Sequence, residues 1–101
     1  MVRSQQAEKE VPKAVERRKR AGTWLQEQRK KAGLSQIQLA ERLGLKYYTF
    51  ISQIENGFSR VPSDSMEAWA AALGIAPGVF ARHLLAFYEP ELHKLLFEVK
   101  S

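Results

Sequence analysis

The stretch that decides the fold of this 101-residue chain is residues 35–57, SQIQLAERLGLKYYTFISQIENG. Ser35 is suited to the N-cap of a helix that Gly44 ends. The apolar face of that helix comprises Ile37, Leu39, Ala40 and Leu43. A second helix is predicted at about 47–55, because Asn56-Gly57 suits the left-handed conformation beyond a helix end. The stretch therefore predicts two short helices joined by a tight turn.

Further helices are predicted on both sides of this stretch. Upstream, a helix is expected over about 23–32, with Thr23 as its N-cap, because Gly22 interrupts the helical pattern that begins at Lys13. Downstream, three helices are expected at about 63–73, 77–87 and 90–99. Short connections and the absence of a strand pattern predict an all-α fold class. We expect a compact bundle of five to six short helices with a basic N-terminal extension.

The chain divides by composition into three expected segments. Residues 1–22 are expected to be a basic, flexible or partly helical extension, and residues 23–88 the helical domain. Residues 89–101 are expected to form a C-terminal helix that could hold a dimer together. Its apolar residues are Leu92, Leu95, Leu96, Phe97 and Val99. The alternative is that this helix packs within its own subunit, against the first and fifth helices.

Positive charge is concentrated in the first third of the chain. The net charge is +5 overall. Residues 1–33 hold ten basic and four acidic residues, or +6, whereas residues 34–101 hold six and seven, or −1. Such a basic segment indicates a polyanionic partner, and a solvated tail is the alternative. No long apolar run or secretory signal occurs in the sequence, so we expect a cytoplasmic protein with no membrane partner.

The sequence contains no pattern typical of an enzyme. There is no cysteine, no glycine-rich phosphate loop and no nucleophile paired with a base. His83 and His93 lie ten residues apart without a cluster of carboxylates at metal-ligand spacing. We therefore expect no catalysis, no metal site and no cofactor.

Two adjacent helices joined by a glycine-containing turn form the helix-turn-helix unit, whose second helix lies in the major groove of DNA. At the exposed start of the first of these helices, Gln36 can donate a hydrogen bond to a phosphate oxygen. With these features the chain resembles the lambda-repressor-like, or Cro/C1-type, helix-turn-helix regulators, also called the xenobiotic-response-element family. The matching strings cover much of residues 23–86: Arg29-Lys30, Ala32-Gly33-Leu34-Ser35-Gln36, Leu39-Ala40-Glu41, Leu43-Gly44 and Ile51-Ser52-Gln53-Ile54-Glu55-Asn56-Gly57.

The resemblance implies a sequence-specific transcriptional regulator, a repressor, that binds double-stranded DNA as a homodimer. It implies a phosphate contact by Gln36, base-facing positions in the recognition helix, and a backbone-contacting turn beyond that helix. The base-facing residues are then Tyr48, Thr49 and Gln53, and the turn includes Asn56 and Arg60. It also implies an internal salt bridge between Arg29 and Glu55. The basic residues Arg17, Arg18, Lys19 and Arg20 are placed to meet phosphates or a groove.

The sequence departs from the family pattern at one point. The segment from Gly44 to Thr49 holds one residue more than usual in or next to the turn, where Lys46 and Tyr47 are also expected to contact DNA. Counting from the C-terminal Asn56-Gly57 places Tyr48 and Thr49 at base-facing positions, and we prefer this count. Counting from Gly44 instead would place Tyr47 and Tyr48 there.

Aromatic residues crowd the start of the recognition helix. A tyrosine at position 47 or 48 can contact a thymine methyl group or donate to a phosphate, whereas Phe50 is expected to pack beneath the turn. An exposed tyrosine pair would also suit a protein partner. Residues 34–60 carry a net charge of only +1. The alternative function is therefore a protein-binding module of the same fold, an antitoxin or antiactivator that acts on a toxin or another regulator.

Overall fold

The computed structural model describes residues 12–98 as a bundle of helices. The helices are α1 (Lys13–Lys31), α2 (Gln36–Arg42), α3 (Thr49–Glu55), α4 (Met66–Leu73), α5 (Pro77–Tyr88) and α6 (Pro90–His93). A 3₁₀ turn, Ser63–Ser65, leads into α4, and a π-helical turn, Lys94–Glu98, follows α6. No strand occurs between residues 12 and 98. The predicted all-α fold class is therefore confirmed.

Helix α1 is longer than the sequence predicts. It begins at Lys13, so the prediction of a start at Thr23 is wrong. Thr23 lies inside the helix, where its hydroxyl donates to the carbonyl oxygen of Lys19 at 3.0 Å. The boundary expected between residues 22 and 23 therefore falls within one continuous helix.

Gly22 does not interrupt α1 because it serves a helix crossing. It is buried against the end of α3, and a Cβ atom at this position would lie 2.2 Å from the carbonyl oxygen of Glu55. Only glycine allows the backbones of α1 and α3 to approach this closely. Gly57, two residues beyond the end of α3, adopts φ +83°, and a Cβ atom there would lie 2.6 Å from Cγ of Lys19.

Helix α2 begins and ends where the sequence predicts. The backbone N–H of Gln38 donates to the hydroxyl of Ser35 at 3.0 Å, and the backbone N–H of Ser35 donates to the side-chain oxygen of Gln38 at 2.8 Å. This reciprocal pair is a capping box, which satisfies two N–H groups that a helix start otherwise leaves without partners. The N-cap at Ser35 is confirmed, and α2 ends at Leu43-Gly44.

The hydrophobic core lies where α1, α3, α4 and α5 meet. Its largest fully buried side chains are Trp69, Phe80, Leu25, Leu39, Ile51, Ile54, Leu84 and Val61. Leu39 brings α2 into this core, and Ile51 and Ile54 anchor the inner face of α3. The two helices of the turn motif are thus held on one rigid body. Between residues 12 and 98, no helix is long and apolar enough to cross a membrane.

The C-terminal segment differs from the predicted α-helix over 90–99. The α-helical part ends at His93, and residues 94–98 form a wider π-helical turn. Nδ1 of His93 lies 2.8 Å from a carboxylate oxygen of Glu98, five residues on, a spacing that matches the π-helical i to i+5 pattern. The guanidinium of Arg82 lies 4.3 Å from the ring centroid of Phe97, which holds the turn against α5.

Phe97 packs on Arg82 of α5, whereas the leucines of this segment are largely open to solvent. Leu92, Leu95 and Leu96 are 45%, 66% and 61% exposed, so they are not part of the buried core. Val99 lies outside the described residues.

The close crossing of α1 and α3 predicts an unequal response to two glycine substitutions. Gly22→Ala should lower the free energy of unfolding by about 1–3 kcal/mol, because the new methyl group meets the backbone of Glu55. Gly78→Ala is the matched control, since a Cβ atom there meets nothing within 4 Å in the first turn of α5. The control should be neutral or stabilising by up to about 1 kcal/mol. Urea denaturation measures both, and equal values for the two variants would contradict the crossing.

Candidate nucleic-acid interface

Helix α3 presents one polar face to solvent. Thr49, Gln53 and Asn56 are exposed and Ser52 is half-buried. Their spacing of three, four and seven residues from Thr49 places these side chains on one side of the helix. The opposite side holds the buried residues Ile51, Ile54 and Glu55, with Phe50 half-buried beside them. The helix therefore offers hydrogen-bonding groups outward from a fixed apolar base.

The turn before α3 is the segment that is one residue longer than the family pattern. Residues 43–48 connect α2 to α3, and Tyr48 is the N-cap residue of α3. Tyr47 precedes the helix and lies 64% exposed. Lys46 is exposed as well, and its ammonium lies 5.5 Å from the ring centroid of Tyr47. With this start, Tyr48 and Thr49 stand at the leading end of α3 and Gln53 lies one turn further along.

A buried ion pair fixes the inner end of α3. Nε of Arg29 on α1 donates to Oε2 of Glu55 at 2.7 Å, and Nη2 donates to Oε1 at 3.1 Å. Nη1 of Arg29 donates to the carbonyl oxygen of Leu34 at 2.8 Å. This is the pair that the family resemblance implies. Its two-pronged geometry fixes the direction as well as the distance between the two helices.

Gln36 joins the same network. Its amide nitrogen donates to Oε1 of Glu55 at 3.0 Å, and the side chain is half-buried. The sequence assigns this side chain to a phosphate, and the structure shows one of its hydrogen bonds made inside the protein. Since an amide group carries two N–H donors, that bond occupies only one of them.

Arg60 also has an internal role that the sequence does not reveal. It forms an ion pair with Glu89 at 3.0 Å, and its guanidinium lies 4.5 Å from the ring centroid of Tyr88. The hydroxyl of Tyr88 accepts a hydrogen bond from the backbone N–H of Val61 at 3.1 Å. Burial of this ring raises the pKa of Tyr88 above its ordinary value, so the hydroxyl stays neutral. Arg60 therefore helps to attach the loop after α3 to the end of α5.

The basic part of α1 lies beside the end of α3. Nε of Arg18 donates to the carbonyl oxygen of Gly57 at 3.1 Å, and Lys19 packs against the same glycine. Lys19 and Arg20 are exposed, whereas Arg17 and Arg18 are half-buried. Asn56 is directed along α3, with its amide donating to the hydroxyl of Ser52 at 3.3 Å. The expected basic extension and the expected backbone-contacting turn are thus neighbours in the fold.

Comparison with known proteins identifies the family. The model of the Helix-turn-helix family matches residues 25–80, more than half of the chain, from within α1 to the first turn of α5. The matched segment contains α2, the turn and α3 whole. The chain therefore belongs to the Cro/C1-type helix-turn-helix family and is a lambda-repressor-like, DNA-binding regulator. Among curated proteins no match was found.

The two ion pairs of this region predict very different effects on stability. Arg29→Met should lower the free energy of unfolding by about 3–5 kcal/mol, because it leaves the carboxylate of Glu55, only 2% exposed, without its charged partner. Arg60→Met is the control, since the side chains of Arg60 and Glu89 are 40% and 49% exposed. Its cost should be about 0–1 kcal/mol.

A double variant separates the unpaired charge from lost packing. Adding Glu55→Leu to Arg29→Met should recover part of the lost stability, since the buried charge is then removed. Denaturant titrations at one pH measure all of these variants. A double variant no more stable than Arg29→Met alone would contradict the role given to the buried charge.

Proposed function

We propose that the protein is a sequence-specific transcriptional repressor that reads base edges in the major groove with α3. The observation that carries this proposal is the polar face of Thr49, Ser52, Gln53 and Asn56 on a helix whose other face is buried and clamped. A glutamine can form two hydrogen bonds with an adenine edge, and a threonine can contact several bases. Gln53 and Thr49 therefore carry the base readout, with Tyr48 beside them at the helix start.

Phosphate contacts come from the surroundings of α3. Lys19, Arg20 and Lys46 are exposed on the elements that flank it. The remaining N–H of Gln36 and the side chains of Arg17 and Arg18 add to this set, as do Asn56 and Arg60 at the far end of α3. These contacts fix the position of the helix on the duplex without reading its sequence. A protein that works on chromosomal DNA in this way acts in the cytoplasm, at the nucleoid.

We propose that the regulator is a homodimer joined through its C-terminal segment. Two-fold symmetry suits a pair of half-sites about one helical turn of DNA apart. The segment offers Leu92, Leu95 and Leu96, all exposed. Burying one leucine is worth about 1.5–3 kcal/mol relative to exposure, so three from each subunit exceed the lower range of association costs. A dimer of this kind that occupies its site excludes other proteins from that DNA, which is the basis of repression.

A protein-binding role is the second candidate, supported by exposed aromatic side chains near α3. Tyr47 and Phe58 lie 64% and 74% exposed. The two functions respond differently to salt. Binding to DNA weakens steeply as salt rises because counterions are released from the phosphates, whereas an apolar protein interface changes little. Sequence-specific, salt-sensitive binding would support the repressor, and its absence would favour an antitoxin or antiactivator.

Substitutions on α3 test the assignment of base contacts. A DNA fragment is first selected from random sequence by the wild-type protein. Thr49→Ala and Gln53→Ala should each weaken binding to this fragment by about 1–3 kcal/mol, roughly five- to 150-fold. Binding to unrelated DNA should change much less, because the phosphate contacts remain. Fluorescence anisotropy with the selected and an unrelated duplex measures both.

The same residue types on α1 provide the control. Thr23 and Gln26 lie on α1 and outside α3, so Thr23→Ala and Gln26→Ala should leave sequence preference unchanged. If Thr49→Ala and Gln53→Ala also keep the wild-type preference, the register assigned to α3 is wrong.

The dimer interface is tested by introducing charge. Leu92→Asp with Leu96→Asp should give a folded monomer that binds its operator much more weakly, because each half-site is then bound independently. Ile37→Asp is the control for oligomeric state, since Ile37 is also exposed but lies on α2. Sedimentation and circular dichroism measure association and folding. A variant that stays dimeric would place the interface elsewhere.

A further inference from the structure

A small apolar cavity lies beside the start of the recognition helix. Its volume is about 240 Å³, and it opens between α2 and the turn that leads to α3. Buried Ala40 and half-buried Leu45 form its base. The side chains around it are Ile37, Tyr47 and Tyr48, which are 56%, 64% and 47% exposed. Single exposed apolar residues are ordinary, but three around one cavity indicate a binding surface.

The charges at the edge of the cavity favour a neutral, apolar occupant. Glu41 and Lys46 line it, one acidic and one basic. The carboxylate of Glu41 would repel a phosphate group. The alkyl side chains of Ala40 and Leu45 on the floor of the cavity cannot form a hydrogen bond with the edge of a nucleobase. The volume also lies below the roughly 300–1,000 Å³ typical of sites for small molecules. The cavity therefore suits a small apolar group that belongs to a larger partner.

The cavity adjoins the surface that is proposed to contact DNA, and this continuity is the ground for taking DNA as the partner. Tyr48 both lines the cavity and forms the N-cap of α3, so the cavity adjoins the polar face that begins at Thr49. In the major groove, the apolar group that distinguishes one base from the others is the C5-methyl group of thymine. Deoxyribose is the other apolar part of DNA, and it is the same at every position of the sequence.

We propose that this cavity recognises thymine methyl groups in each half-site, with Ile37 and Tyr47 as specificity-determining residues. This inference rests on the proposed function, since it requires a DNA sequence that the protein selects. It gives the operator a chemical feature that hydrogen-bond readout by Thr49 and Gln53 does not supply. The same cavity accepts 5-methylcytosine, which carries its methyl group at the corresponding ring position.

Deoxyuridine substitution tests the proposal with the wild-type protein. Each thymine of a selected operator is replaced in turn by deoxyuridine, which lacks only the methyl group. At one or more positions in each half-site, the Kd should rise roughly three- to fivefold, as expected for the burial of one methyl group. The ratio should be the same at low and high salt, because no charge is changed. At such a position, 5-methylcytosine should bind more tightly than cytosine by a similar factor.

Protein variants assign the effect to the cavity. In Ile37→Ser or Tyr47→Ala, the deoxyuridine ratio should fall below about twofold at the same positions. Val79→Ser is the matched control, because Val79 is exposed to a similar degree, 58%, but lies on α5, and it should keep the wild-type ratio. Circular dichroism checks folding, and the substitutions in the DNA alone test the proposal if a variant does not fold.

The possible outcomes distinguish a failure of the thymine-methyl contact from a failure of the proposed repressor function. A selected operator that binds equally well with deoxyuridine at every position would overturn the thymine contact and leave the repressor intact. A deoxyuridine effect that persists in both cavity variants would assign the methyl contact to other residues and overturn the role of the cavity. Failure to select any preferred sequence would overturn the proposed function and, with it, this inference.

Discussion

The carboxylate of Glu55 joins three elements of the fold, and the position of the recognition helix depends on it. It accepts hydrogen bonds from Arg29 of α1 and from Gln36 at the start of α2, while belonging itself to the last turn of α3. The guanidinium of Arg29 also holds the carbonyl of Leu34 before α2. A buried charge without a partner is costly, so any displacement of α3 that breaks this network is opposed by several kcal/mol. The outer face of α3 can therefore be held rigidly although the helix has only seven residues.

The sequence predicts the central unit well because its local signals agree with its packing. Ser35 caps α2 as expected, and Asn56-Gly57 ends α3 where the left-handed residue is needed. The start of α1 was predicted wrongly for a physical reason. A glycine within a helical pattern lowers helix propensity and so argues against a continuous helix, and the contact that explains Gly22, the backbone of Glu55, lies 33 residues further along the chain. No local pattern can reveal such an approach.

The candidate site was predictable in its residue types and less so in its contacts. Exposure of Thr49 and Gln53 follows from helical spacing once Ile51 and Ile54 are taken as core residues. The internal bonds of Gln36 and Arg60 could not be predicted, because Glu55 and Glu89 are distant in sequence and many acidic residues could have served as partners. The cavity beside Tyr48 was equally hidden, since it forms only where the turn folds back towards Ile37 and Ala40.

The packing of α1 against the end of α3 explains why the basic residues can be concentrated in the first third of the chain. Residues 34–60 carry a net charge of only +1, which is low for a unit that binds a polyanion. The basic part of α1 lies against Gly57, however, and so adjoins the end of α3. On the proposed function, affinity from phosphate contacts comes from α1, while α3 and the cavity supply neutral contacts that depend on base identity. Removing charge from α1 then changes affinity for all DNA, whereas changing the neutral contacts alters which DNA is preferred. Because α1 begins at Lys13 and not at Thr23, its basic residues Arg18 and Lys19 are held next to the end of α3. The residues proposed for phosphate contacts and those proposed for base contacts are therefore neighbours.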